Sequence, residues 1–128
     1  MVTAEPPRLL DDAERGVLDF ILAQDWKGVQ QVRTMLHGTR ASLGCHCGCG
    51  SINLTVKALG EPLRSRSPVP AEAVAHFDGH PFLALLFVEE DSALLEFVWY
   101  GDPAERLPRY DELQPRFRGR PDIANPSY

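Results

Sequence analysis

Apolar residues recur at helical spacing through Ala13, Val17, Leu18, Ile21 and Leu22, directly after Asp11 and Glu14, which are spaced as a capping box. The pattern predicts an amphipathic helix capped by Asp11. Gly16 lowers its propensity by about 1 kcal/mol, but the apolar stripe is continuous on either side. A second helix follows, with Asp25 as its expected cap, Trp26, Val29, Val32 and Leu36 facing inward, and Gly38 where a left-handed residue would end it.

Beyond Thr39 the period changes to two. Ile52, Leu54 and Val56 alternate with Ser51, Asn53, Thr55 and Lys57, the signature of a half-buried strand. Before this strand the apolar positions are odd (Ala41, Leu43) and within it they are even, so one regular strand cannot keep both sets inward. The chain must turn or kink between them, and Gly44, Gly48 and Gly50 supply the conformational freedom. Gly60 to Pro70 reads as a surface loop. Asp78-Gly79, between Glu72–Phe77 and His80–Val88, is a strong hairpin signal. Phe82 to Val88 is apolar at both parities, which predicts a central strand covered on both faces. After the acidic turn Glu89-Glu90-Asp91, Ala93 to Tyr100 completes a meander. One parity of this last strand carries Ala93, Leu95, Phe97 and Trp99; the other carries Leu94, Val98 and Tyr100 beside Glu96. Two apolar faces call for a cover, supplied by the tail, a dimer mate or another protein. Prolines 103, 108, 115, 121 and 126 exclude long elements beyond Gly101, so the tail is expected to wrap the domain through Leu107, Tyr110, Leu113 and Phe117.

These elements predict an α+β fold in which an N-terminal helical pair packs on a four- to five-stranded antiparallel sheet, followed by an irregular Pro-rich C-terminal tail. The expected organisation is one domain over 1–128, with the helical pair at 9–38, the sheet at 39–100 and the wrapping tail at 101–128. A chain of 128 residues is long enough to hold a core without disulfide staples. Its three cysteines are odd in number and no secretory leader pattern stands at Met1, which points to a reducing cytoplasm. The longest apolar stretch, Pro81 to Val88, is too short to span a bilayer. A net charge of −5 disfavours nucleic acid as a partner, and the C-terminal arginines 106, 109, 116, 118 and 120 are offset by interspersed carboxylates. The same acidity allows steering of a basic protein partner.

All three thiols lie in five residues, Cys45, Cys47 and Cys49 of Gly44-Cys-His-Cys-Gly-Cys-Gly-Ser51. Thiolates are soft ligands and good nucleophiles, so the cluster is the candidate site for metal or redox chemistry. A tetrahedral zinc site needs sulfurs about 3.8 Å apart, whereas alternate residues of a straight strand are about 6.6 Å apart. Chelation therefore requires the glycine-enabled turn. The expected ligands are Cys45, Cys47, Cys49 and His46, with His37, His76, His80 or solvent as alternatives for the fourth position; the expected ion is Zn or Cu(I). Packing of the cysteines as small apolar side chains, transient disulfide chemistry, and a Cys nucleophile with a His base remain open alternatives. No catalytic residue can be assigned.

The order of a helical pair, then Cys45-x-Cys47-Gly48-Cys49-x-Ser51 entering an apolar strand, then a meander ending in Leu95-Glu96-Phe97-Val98-Trp99-Tyr100-Gly101-Asp102, resembles a group of short, largely uncharacterised bacterial proteins. The resemblance spans most of the chain. It implies a similar fold and, by analogy of size and style, an immunity or antitoxin-like role. The function expected is therefore that of a small cytoplasmic protein that binds another protein or a second copy of itself and carries a metal-binding loop, more a binding factor than an enzyme. The alternative is a thiol- or metal-dependent enzyme or redox protein using the same loop.

Overall fold

Asp11 and Glu14 form the box that their spacing predicts. The Glu14 N–H donates to the Asp11 side chain at 2.8 Å and the Asp11 N–H donates to the Glu14 carboxylate at 3.0 Å. Helix α1 runs Asp12–Leu22 from this cap. The computed structural model describes residues 6–43, 51–63 and 69–115. Within α1, Val17, Leu18 and Ile21 are buried as expected, but Ala13 is exposed and Glu14 is buried in its place. The reason is Arg8, which doubly hydrogen-bonds the Glu14 carboxylate at 2.8 Å and so makes burial of its charge tolerable.

Helix α2, Val29–Met35, is shorter than predicted because its cap is Gly28, with φ of 89°, and not Asp25. Trp26 precedes the helix and donates its indole N–H to the Ile21 carbonyl at 3.0 Å, tying the inter-helix connection to the end of α1. Gly38 takes the left-handed conformation anticipated past the helix end, with φ of 71°.

Five strands follow: β1 Ala41–Leu43, β2 Ile52–Leu54, β3 Val69–Phe77, β4 His80–Val88 and β5 Ala93–Trp99. They form one antiparallel sheet in the order β1-β2-β5-β4-β3. The parity change around the thiols is explained by the register Ala41↔Leu54 and Leu43↔Ile52, since an antiparallel pair in this register sets odd residues of one strand beside even residues of the other. Asp78 (φ 53°) and Gly79 (φ 77°) are both left-handed, as a two-residue hairpin turn with the right twist requires. β3 begins at Val69, three residues earlier than expected. Pro70 is tolerated there because β3 is an edge strand, where a missing donor need not interrupt a ladder.

One face of the sheet carries the core. Ile52, Leu95, Leu86 and Ala71 form a row across four strands, flanked by the row Phe97, Ala84 and Ala73. Alanines on β3 let α1 approach closely, and Val17, Leu18 and Ile21 of α1 belong to the same core as Val32 and Met35 of α2. The prediction that β4 is covered on both faces needs correction. β5 is the middle strand, and on the face away from the helices Leu85 and Phe87 are only partly buried. The tail does pack on the domain: Pro108 and Leu113 are buried, Tyr110 meets Phe20 edge-on at 5.4 Å, and Gln114 bridges Val74 at the β3 edge. Phe117 lies outside the described residues. Among the described residues no helix is long and apolar enough to cross a membrane.

Candidate functional site

The thiol-bearing stretch connects two hydrogen-bonded strands. Cys45, His46, Cys47 and Cys49 themselves lie outside the described residues; the frame that presents them does not. Leu43 and Ile52 are directly paired, so the segment leaves and re-enters the sheet between adjacent strands. At the far end the hairpin is clamped by Thr39 and Thr55. The Thr39 hydroxyl donates to the Thr55 carbonyl at 2.7 Å, the Arg40 N–H donates to the Thr55 hydroxyl at 2.9 Å, and the Thr55 N–H donates to the Arg40 carbonyl at 3.0 Å. These bonds fix the register from which the connection springs.

At the near end the anchor is Ser51. Alternation placed this residue on the polar side of its strand, yet it is 3% exposed, and its Oγ accepts the Phe97 N–H at 3.1 Å. A serine hydroxyl satisfies the β5 donor just past the last β2–β5 pair, Ile52↔Leu95. The only sequence signal for this role was the position of Ser51 at the end of the cysteine pattern. Ser51→Ala is expected to leave that buried donor unmet, costing about 1–2 kcal/mol. Amide exchange should show selective loss of protection at Phe97; unchanged protection would exclude the anchoring role.

The three histidines considered as fourth ligands are dispersed. β2 enters the thiol segment from Ile52 in the direction of the Phe97–Trp99 end of β5, the end that also carries the β3–β4 turn. His76 and His80 lie at this end, on the third and second strands from β2, about 14 and 10 Å across the sheet. His80 is already committed: its Nδ1 donates to the Asp102 carbonyl at 2.8 Å, and its ring tilts against Phe77. His37 stands at the opposite end of the sheet, beside α2, with Nδ1 3.5 Å from the Lys57 ammonium. Among the described residues no group of three His, Cys, Asp or Glu side chains is arranged to hold a metal ion.

A second polar cluster closes the tail. Arg106 doubly hydrogen-bonds Glu112 at 2.9 and 3.0 Å, the Arg109 N–H donates to the same carboxylate at 2.8 Å, and the Arg106 guanidinium lies 4.5 Å from the centre of the Phe77 ring. The Arg106 hydrogen bonds, with that Arg109 N–H, push the Glu112 carboxyl down to about 2. Glu112 lines an open cavity of about 320 Å³ with His76, Tyr100 and Gln114. Through this one carboxylate the Arg106 side chain and the Arg109 N–H fasten the tail.

No protein-family model, no curated protein and no solved structure matches the chain.

Proposed function

We propose that this chain is a cytoplasmic binding protein in which Cys45, Cys47 and Cys49, with His46 as the fourth donor, hold a soft metal ion, Zn or Cu(I). The loaded loop stiffens or regulates a surface that engages another protein. The observation that carries this reading is the concentration of every thiol of the chain into five residues joining two directly paired strands. A connection whose ends are held in register loses less entropy when its donors converge on an ion than a free loop would. The most concrete form of the reading is an immunity or antitoxin-like factor, which acts by stoichiometric complex formation and has no turnover.

Native mass spectrometry of the untreated protein, joined to elemental analysis, should find one metal ion per chain. Cys47→Ser and Cys49→Ser should each weaken it by more than the roughly 10- to 100-fold that loss of an outer-shell partner costs. Three freely titrating thiols with no metal would return the cysteines to packing. Turnover of a small molecule that disappears in both variants while the fold persists would replace the binding reading with an enzyme.

A further inference from the structure

The face of the sheet turned away from the helices has a chemistry of its own. Alternation assigns to it Leu83, Leu85 and Phe87 of β4 and Leu94, Glu96 and Val98 of β5, and the registers Leu83↔Val98, Leu85↔Glu96 and Phe87↔Leu94 set them side by side. Val74 of β3 extends the Leu83 row. Phe20, Trp26, Leu59 and Leu107 pack against the core cluster, and the tail reaches the β3 edge through the Gln114–Val74 bridge. Leu83 is buried, while Leu85, Phe87, Leu94, Glu96 and Val98 keep part of their surface exposed.

The result is a largely apolar patch three strands wide and five residues long, about 14 Å by 14 Å, with two carboxylates on either side of Leu85: Glu72 of β3, whose Oε1 is buried, and Glu96 of β5. Glu96 is flanked by Leu94 and Val98 along its strand and by Leu85 across it, and no cation among the described residues pairs with it. Two properties choose among occupants. A second copy of the chain docked through this patch would gather the carboxylates of both copies into one apolar contact, where like charges repel. A purely apolar occupant would strip water from Glu96 and leave its charge unpaired.

We propose that this face docks a segment of another protein that presents apolar side chains with a Lys or Arg placed to meet Glu96. The inference rests on the reading of the chain as a binding protein but not on the metal.

The test titrates the isotopically labelled full-length protein with a synthetic helical peptide carrying leucines on one face and a flanking lysine, and with the same peptide carrying glutamate for lysine. The lysine peptide should bind at least 10-fold more tightly and shift the amides of Leu83, Leu85, Leu94 and Val98. Glu96→Gln should abolish the preference and Glu96→Lys should reverse it. Asp19→Lys, the same change of net charge on the exposed side of α1, should leave it intact. Equal affinity, a preference that Asp19→Lys removes, or shifts confined to other residues would overturn the proposal. So would contacts from Phe117 or Ile123 already covering these amides in the free chain, or a dimer in sedimentation that Leu85→Asp dissolves. Metal content measured on the same samples separates the two readings: a lost preference with metal retained defeats only the docking face, and a retained preference without metal defeats only the metal loop.

Discussion

Leu95→Ala is expected to lower the unfolding free energy by about 2–5 kcal/mol, the largest effect of any single truncation considered for this chain. Leu95 is fully buried in the middle strand, in register with Ile52 on one side and Leu86 on the other. Removing its branched end opens a void where three strands meet in the core. Those strands are held by their backbone ladders, so their side chains cannot collapse into the space, and the cavity term adds to the lost transfer energy. Urea unfolding should show a lower midpoint with an unchanged slope. Leu85→Ala, one strand away on the partly exposed face, should cost less than half as much, because its side chain is not enclosed. Similar losses at the two positions would contradict the assignment of the core to one face of the sheet.

Glu14→Ala should cost about 2–3 kcal/mol at neutral pH, because one carboxylate serves two partners. It completes the cap by accepting from the Asp11 N–H, and it receives the Arg8 guanidinium in a doubly bonded pair. Arg8 is half exposed, so the ion pair by itself is worth little; most of the loss comes from the cap and from hydrogen bonds made under cover. Burial works to raise the Glu14 carboxyl, but the Arg8 hydrogen bonds, the Asp11 N–H and the Arg8 charge outweigh it and hold the group below its ordinary value of 4.5. A carboxyl lowered by folding stabilises the native state fully above its unfolded value and loses that contribution as pH falls through the folded one. The difference between wild type and Glu14→Ala should therefore be greatest near pH 7 and shrink progressively below about pH 4.5. Denaturant midpoints compared at pH 7 and pH 3 measure this directly, and a gap that widens on acidification would reverse the assigned role.

The helix stripe was legible at Val17, Leu18 and Ile21 because helical periodicity is local. Ala13 and Glu14 exchanged places because Arg8, outside the helix, made the carboxylate the better buried group. Asp25 carried a capping residue type, yet Trp26 is anchored to the Ile21 carbonyl and α2 starts later, at Gly28. Of the candidate site, the sequence located the thiols and the need for a turn between odd and even apolar positions. The parity change comes from the pairing of β1 with β2 on either side of the thiol run, and the burial of Ser51 against Phe97 depends on a strand more than forty residues away, which local spacing cannot show.

The α+β class, the Asp78-Gly79 hairpin and the gathering of the thiols between Leu43 and Ile52 follow from residue order alone, because periodicity, left-handed turn residues and ligand chemistry are properties of neighbouring residues. Packing between distant segments sets the rest: β5 and not β4 lies at the centre, β2 pairs with β5 across nearly forty residues of chain, and one apolar face is enclosed while the other stays partly open around Glu96. Strand order is set by which faces can be buried together, and that free energy belongs to contacts between segments, not to any one segment.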